Sequence, residues 1–271
     1  MTVDCEKFIH PYDRAVLKKL KSVPGLDAIF KKIMAFVDER MMRGLHEGSY
    51  IKLSPTQLPE YYKPLLEVCE TLGIDVPDMY LAMNPLPNAY TFGDTKPFIV
   101  INDGLINLLT PEELKAVIAH ECGHILCHHV LYNSMARFLL QFGADLLPIP
   151  FIDKAAFITL MWWSRMSEFS CDRVAAFVMN SSDVMVDTMI RLSGGSYEIT
   201  KKINKEEYMA QAKGYMDMIS EAMTDRILQT IIIYKMDHPM PAARSYEIST
   251  WFEREKDNLP EQANAYKTLT W

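Results

Sequence analysis

Apolar residues recur every three or four positions through the first part of the chain, which predicts a series of helices. Ser54-Pro-Thr-Gln has the residues of a helix N-terminus, so a further helix is expected to begin there, before Tyr61. We therefore predict an N-terminal helical region over residues 1–72, packed on a second domain over residues 73–271. The apolar positions of the earlier helices are Leu17, Leu20, Val23, Ile29, Ile33, Phe36 and Val37.

The spacing changes between residues 79 and 101, where short β-prone runs replace the helical period. Met79-Tyr-Leu-Ala-Met and Phe98-Ile-Val-Ile are separated by the turn-forming segments Asn84-Pro-Leu-Pro-Asn and Gly93-Asp-Thr-Lys-Pro. These runs predict strands of a small sheet just before the next helix. The predicted fold class is therefore α+β, predominantly helical, with a small β-sheet beside that helix.

Helical spacing returns after Thr110, with apolar residues at positions 114, 117, 118, 125 and 126. Thr110-Pro-Glu-Glu predicts the start of this helix, because it combines an N-cap residue, proline at the first helical position and acidic residues in the first turn. Gly123 lies inside the helix, where glycine is costly. We interpret it as a position where another backbone passes close by.

The same helix contains His120-Glu-Cys-Gly-His, a pattern that indicates a chemical function for this helix. His120 and His124 are one turn apart, so they project from the same face, with Cβ atoms about 6 Å apart, and can bind one metal ion. Glu121 is placed to act as a general base toward water activated by that metal. The alternative is a pair of hydrogen-bonded core histidines without a metal.

A third ligand is needed to complete such a site, and Glu168 is the best candidate. Glu168 and Asp172 are also four residues apart, hence on one helical face. The Glu168 carboxylate can bind zinc, while Asp172 is placed to accept the outer N–H of a ligating histidine. The alternative is a solvent-facing acidic pair flanked by Arg165 and Arg173.

With these blocks the chain resembles the HtpX-like and CAAX-prenyl-endopeptidase group of gluzincin zinc metallopeptidases. The resemblance covers about residues 77–244 and depends on the order of its blocks. Those blocks are Asn88-Ala-Tyr-Thr-Phe-Gly, Ile99-Val-Ile-Asn-Asp-Gly-Leu-Ile-Asn-Leu-Leu, the His-Glu-x-x-His helix, Glu168-x-x-x-Asp172, and His238-Pro followed by Arg244.

The resemblance implies a role for each matching residue. His120, His124 and Glu168 would bind one Zn²⁺ per chain, and Glu121 would be the general base. Across the metal, His238 would donate a hydrogen bond to the oxyanion of the tetrahedral intermediate, supported by the charge of Arg244. A strand edge near Asn88 and Ala89 would pair with an extended substrate. That edge could instead be capped by a loop.

Composition and charge exclude several other functions. The net charge of −7 and the lack of a basic patch with interleaved aromatic residues argue against nucleic acid as a partner. The first residues lack the apolar core of a secretory signal, and the five cysteines have no framework spacing, so we expect reduced thiols in a cytoplasmic protein. Cys122 and Cys171 raise an alternative with thiolate ligands, although their helical phase places them off the histidine face.

Two further segments bear on the site. His128 and His129 invite an extended metal motif, but the required glycine at position 127 and histidine at position 130 are missing, so we predict the polar end of the helix there. The apolar stretch from Phe138 to Trp163 is broken by charges and prolines and predicts a buried helical hairpin, with membrane contact as the less favoured alternative. Residues 206–234 predict one long helix or a helix pair.

The sequence thus predicts a zinc-dependent endopeptidase that acts on peptide or protein substrates. One alternative is a non-proteolytic zinc protein that uses the site for binding or regulation, with a cysteine in place of water. Another is a latent enzyme covered by its own terminal segment, such as the tail that ends at Trp271.

Overall fold

The computed structural model describes residues 2–36, 39–142, 154–221 and 240–260. In this part of the chain the helices surround one small sheet. The helices are α1 (Pro11–Lys21), α2 (Leu26–Phe36), α3 (Glu39–Ser49), α4 (Pro59–Leu72), α5 (Asp103–Leu108), α6 (Pro111–Leu126), α7 (Val130–Phe142), α8 (Lys154–Met179), α9 (Asp183–Gly194), α10 (Tyr197–Thr200), α11 (Lys205–Glu221) and α12 (Pro241–Glu255). The strands are β1 (Ile51–Lys52), β2 (Asp78–Ala82), β3 (Ala89–Phe92) and β4 (Phe98–Asn102).

The four strands form a mixed sheet in the order β1-β2-β4-β3. The two central strands, β2 and β4, are parallel, with Met79 opposite Ile99. The outer strands are antiparallel to their neighbours, and β3 pairs Ala89 with Ile101. Among the described residues, β3 therefore has a ladder partner on one side only, which makes it an edge strand.

Alternate residues of the central strands enter two different hydrophobic cores, as the two-residue period of a strand requires. Met79, Ile99 and Ile101 face the core that contains α4, α6, α9 and part of α8 and α12. Tyr80 and Val100 face the core that contains α1, α2 and α7. Every residue of β4 is buried, which explains its unbroken apolar sequence. The predicted α+β class with a small sheet beside the α6 helix is confirmed.

The predicted helix start at Ser54 is wrong, because α4 begins at Pro59. Ser54 and Gln57 instead bond to each other through both backbone groups, which closes a tight turn. Leu58 then adopts a left-handed backbone conformation with φ of 56° before the helix begins. The division of the chain at residue 72 stays a prediction; the N-terminal helices α1 and α4 both contact α8.

The apolar stretch between the two metal motifs is divided between α7 and α8, which contact each other, and residues 143–153 lie outside the described part. No helix within the described residues has both the length and the apolar character needed to cross a membrane. Of the long helix predicted over residues 206–234, the structure describes α11, which ends at Glu221; the remainder lies outside the described residues.

Candidate metal centre

Helix α6 is held at its start by the cap that the sequence predicts. The Thr110 side chain accepts from the backbone N–H of Glu113, whose carboxylate accepts from the backbone N–H of Thr110, so both halves of a capping box are present. The Glu113 carboxylate also receives two hydrogen bonds from Arg191 of α9, of 2.8 and 3.2 Å. The beginning of the motif helix is thereby tied to a second helix.

The two histidines of α6 and Glu168 of α8 converge on one buried point. His120 Nε2 lies 3.3 Å from one carboxylate oxygen of Glu168, and His124 Nε2 lies 3.3 Å from the other. Two ligands bound tetrahedrally at about 2.0–2.1 Å from one zinc ion are themselves about 3.3 Å apart. Each histidine nitrogen therefore lies at the distance from one Glu168 oxygen that two ligands of a tetrahedral zinc ion have.

A buried ion pair stands behind His120. Asp172 Oδ1 lies 2.9 Å from His120 Nδ1, and Arg244 of α12 donates to both oxygens of the same carboxylate. Burial favours the protonated form of Asp172, but the Arg244 charge and its hydrogen bonds outweigh it and hold the Asp172 pKa below its usual value. The ionised carboxylate can therefore accept from His120 Nδ1–H, which leaves Nε2 facing Glu168.

The pKa of His120 shows how strongly negative this pocket is. Burial disfavours the imidazolium, yet Glu168 and Asp172 outweigh burial and raise the pKa to about 9. The same carboxylates favour a bound dication for the same electrostatic reason. The solvent-facing interpretation of Glu168 and Asp172 is wrong, because both side chains are buried.

Glu121 is held by a residue of the edge strand. The Thr91 hydroxyl lies 2.7 Å from Oε2 of Glu121 and 3.1 Å from its backbone carbonyl. The general-base candidate is therefore oriented by β3, the strand that begins at Ala89, directly after Asn88. Neither periodicity nor motif pointed to Thr91, although it stands inside the Asn88-Ala-Tyr-Thr-Phe-Gly block.

Gly123 allows α6 and α8 to approach closely. A Cβ atom at this position would lie 3.1 Å from Cys171 Cα and 3.3 Å from Val174 Cβ. The prediction of a second backbone passing beside Gly123 is confirmed. This approach is what brings Glu168 within reach of both histidines.

The outer nitrogen of His124 faces Asn133, which the sequence did not assign to the site, and Cys171. The interpretation of Cys171 as a small packing residue off the histidine face is wrong, because its sulfur contacts a histidine of the motif. Cys171 Sγ lies 3.2 Å from His124 Nδ1, and the side-chain nitrogen of Asn133 lies 3.1 Å from it. His129, predicted as the polar end of the helix, is instead fully buried, 3.6 Å from the same sulfur. His128 is exposed, with φ of 57°, and this left-handed turn brings His129 back beneath the helix.

The thiolate alternative can be judged from this geometry. The donor atoms of His120, His124 and Cys171 lie within 4.8 Å of one another and form a potential metal-binding group. However, the sulfur faces Nδ1 of His124, whereas Glu168 faces Nε2. Burial also raises the Cys171 pKa well above its usual value, which favours the neutral thiol. The set with Glu168 is the better fit.

A largely apolar cavity of about 350 Å³ opens beside His120 and Glu121. Asn88 and Ala89 form one side of it, so the predicted substrate edge and the metal motif share this cavity. A larger groove of about 830 Å³ lies near His128 and the start of β2; it touches none of the three metal-ligand candidates, and it does not touch Glu121. The apolar part of the smaller cavity is lined by Leu105, Val117, Met185, Met189 and Leu192.

Arg244 is buried against Asp172, and its Nη1 lies 3.7 Å from Glu168, so it contacts the site through carboxylates. His238 and the tail that ends at Trp271 lie outside the described residues.

A helix with His-Glu-x-x-His, a facing helix with Glu-x-x-x-Asp and an adjoining edge strand define a metallopeptidase of the gluzincin class. Residues 62–252 match the family described as Peptidase family M48, and the chain belongs to that family. The predicted family and the predicted metallopeptidase activity are thereby confirmed.

The relatives carry names of the same kind. The chain is 33% identical over 272 residues to "Plastoglobule-localized metallopeptidase 48, chloroplastic" of Arabidopsis thaliana, an alignment that covers 98% of this chain and 78% of the relative. It is 32% identical over 160 residues to "Protease HtpX homolog" of Helicobacter acinonychis, covering 48% of this chain and 51% of the relative. A homologue of the same name from Persephonella marina is 34% identical over 82 residues, or 30% and 28% of the two chains. No solved structure matches the chain.

Proposed function

We propose that this protein is a zinc-dependent endopeptidase whose metal is held by His120, His124 and Glu168. The observation that carries the proposal is the pair of 3.3 Å separations between the histidine Nε2 atoms and the two Glu168 oxygens. Three protein ligands of this type leave a fourth tetrahedral position open. A zinc ion held there would polarise a peptide carbonyl and lower the pKa of a water molecule.

Glu121 is the general base of the proposed reaction. The Thr91 hydrogen bond holds its carboxylate on the same side of the site as the edge strand. From this position Glu121 takes a proton from the attacking water and passes it to the leaving amine. His238 is the proposed donor to the oxyanion, and Arg244 supports the site through Asp172 and Glu168.

The proposed substrate is an extended peptide that lies along β3. An edge strand offers its free backbone groups to a peptide, which gives recognition with little dependence on side chains. Asn88 and Ala89 stand where that edge meets the cavity. Because the cavity is largely apolar, it suits a large apolar side chain next to the scissile bond.

The experiment combines peptide hydrolysis with metal analysis. Glu121→Gln should retain stoichiometric zinc and lose hydrolysis of a mixed peptide library, read by mass spectrometry with and without a chelator. Glu112→Gln is the matched control, since Glu112 is an exposed glutamate of the first turn of the same helix. Glu168→Ala should lose zinc. Hydrolysis by Glu121→Gln at the wild-type rate would reject the general base, and full zinc occupancy in Glu168→Ala would reject that ligand.

A non-proteolytic zinc protein is the second candidate, and the closeness of Cys171 to both histidines is the observation that favours it. In that protein the Cys171 thiolate would be a ligand, with His124 binding the metal through Nδ1, the nitrogen that faces the sulfur. X-ray absorption that detects a sulfur ligand would support this candidate, and a sphere of nitrogen and oxygen ligands would reject it.

The cytoplasmic location remains a prediction. The relative from Arabidopsis thaliana is named for the plastoglobule and the chloroplast, so contact with a lipid surface is the competing proposal. Cell fractionation tests the two locations: recovery of the protein in the membrane pellet would reject the cytoplasmic location and support contact with a lipid surface.

A further inference from the structure

A line of buried polar groups connects α1 to the back of the metal site. It begins at Asp13 of α1, passes through His129 and Cys171, and ends at Nδ1 of His124. Asp13, His129 and Cys171 have no solvent exposure. Buried polar groups away from water are costly unless they are paired, so this line requires an explanation.

Asp13 sets the direction of the hydrogen bonds, because an ionised carboxylate can only accept. Trp163 Nε1 donates to one oxygen over 2.8 Å, and the Ser170 hydroxyl donates to the other over 2.6 Å. Burial favours the protonated acid, but His129, Ser170 and Trp163 outweigh it and hold the pKa of Asp13 below its usual value. Asp13 is therefore the fixed negative end of the line.

The direction then passes to His129. Its Nε2 lies 3.0 Å from the Asp13 carboxylate, at the distance of an ion pair but without the geometry of a hydrogen bond, and the negative charge of Asp13 favours the ring proton on this nitrogen. With one ring proton, on Nε2, the other nitrogen, Nδ1, is an acceptor. Cys171 Sγ lies 3.6 Å from that nitrogen, so the thiol hydrogen points toward His129.

Cys171 passes the same direction of hydrogen bonding on to the metal-ligand candidate His124. With its hydrogen directed at His129, Cys171 presents a lone pair to Nδ1 of His124, 3.2 Å away. A lone pair there favours the tautomer with the proton on Nδ1. The Nε2 lone pair of His124 is then left facing Glu168, where the metal would bind.

We propose that Asp13, His129 and Cys171 are positioning residues for His124: a buried line of polar contacts from α1 keeps the His124 proton on Nδ1 and leaves Nε2 free for the metal. The proposal depends on the metal site proposed above. Each histidine then has its own carboxylate. Asp172 contacts His120 directly, whereas Asp13 acts on His124 through His129 and Cys171.

Asn133 would act in the same sense with its side-chain amide turned over, which would break the hydrogen bond of 3.3 Å that its nitrogen donates to Ser167 Oγ. Its side-chain oxygen finds no hydrogen-bond partner among the described residues, while its nitrogen faces His124 Nδ1. Turning the amide over would place the oxygen against that N–H, and amide orientation is set by such networks. The oxygen would then accept from the same proton as the sulfur.

The test measures zinc affinity rather than peptidase activity. Zinc dissociation constants of the full chain are obtained by competition with a chromogenic chelator. Cys171→Ala should weaken zinc binding by about 10–100-fold, the usual range for residues that orient a ligand. Cys171→Ser should restore most of that loss, because a hydroxyl also donates one hydrogen and accepts another. Cys69→Ala is the matched control, since it removes a buried thiol that is not part of the line from Asp13 to His124 and should keep wild-type zinc affinity.

The far end of this line supplies the sharper test. Asp13→Asn, which touches no metal ligand, should weaken zinc binding by a similar factor. The double variant with Cys171→Ala should lose no more than the larger single loss, because the residues act as one unit. If circular dichroism shows that Asp13→Asn is unfolded, His129→Gln takes its place, since it keeps a donor for Asp13 and removes the second ring nitrogen.

Three results would overturn the proposal. The first is wild-type zinc affinity in Cys171→Ala, and the second is a loss of affinity in the double variant that equals the product of the two single losses. The third is a sulfur-to-cobalt charge-transfer band in the cobalt-substituted wild type that Cys171→Ala abolishes. The band would make Cys171 a ligand. A wild-type chain that binds no zinc would reject the proposed function itself, and unchanged affinity in the variants would reject only the line of polar contacts.

Discussion

Gly123 stands between the two histidines, at the place where α6 and α8 are closest. A helix with glycine in its interior gives up about 0.5–1 kcal/mol relative to alanine. In return, the Cys171 backbone comes within 3.1 Å of the position that a Cβ atom would occupy. At the residue scale the metal site thus depends on the lack of a Cβ atom at Gly123.

Gly123→Ala should destabilise the protein, although alanine is the better helix former. The added Cβ would meet backbone rather than a flexible side-chain end, so α6 and α8 must separate, at about 1–3 kcal/mol. Urea unfolding measures this change in the free energy of unfolding. Gly214→Ala in α11 is the control: its Cβ meets nothing within 4 Å, so about 0.5–1 kcal/mol should be gained. Equal gains in both variants would contradict the close approach.

At the element scale, α9 determines the shape of the cavity beside the metal site. Met185, Met189 and Leu192 recur at spacings of four and three, so they share one face and line that cavity. Arg191 of the same helix is bonded to Glu113 at the start of α6. The helix that shapes the cavity is therefore fixed to the helix that carries the histidines.

Met189→Trp should change substrate preference without removing the metal. The larger ring would fill the cavity, and kcat/KM should fall about tenfold or more for peptides with a large apolar residue next to the scissile bond. Peptides with alanine there should be affected less. Met218→Trp, at an exposed position of α11, should behave as the wild type. An equal loss for both kinds of peptide would show that the cavity does not hold that side chain.

For the whole molecule, the proposed metal joins α6 to α8 and so contributes to global stability. A ligand that binds only the folded state adds about 2.7 kcal/mol when its free concentration is a hundred times its dissociation constant. Most of the described core surrounds these two helices, and unfolding them would expose it.

Zinc removal should therefore lower the melting temperature. For a domain of this size, 2.7 kcal/mol corresponds to a shift of about 5–10 °C, which differential scanning calorimetry with and without a chelator can measure. Glu168→Ala should melt at one temperature in both conditions, since it cannot hold the metal. Equal melting temperatures for zinc-loaded and zinc-free wild type would contradict a bridging metal.

Local patterns in the sequence were sufficient to predict the helix and strands around the site and the side chains of the two motifs. The capping box of α6, the strands β2 and β4 and the helical phase of His120, His124, Glu168 and Asp172 each depend on residues within a few positions of one another. Helix periodicity and side-chain chemistry encode such relations directly. The error at Ser54 belongs to the same level, because a turn and a helix start use the same polar residues.

What surrounds the two motifs was decided by tertiary structure. Thr91 against Glu121, Arg244 against Asp172, and Asp13 behind His129 join residues that are 30, 72 and more than a hundred positions apart in the chain. No periodicity relates such partners, since they meet only when strands and helices pack. The sequence by itself determined which side chains can bind a metal and on which helical faces they lie. Apart from Asp172 and Arg244, packing decided which protons and charges lie behind them, because hydrogen bonds and ion pairs depend on distances of a few ångströms that only the folded chain brings about.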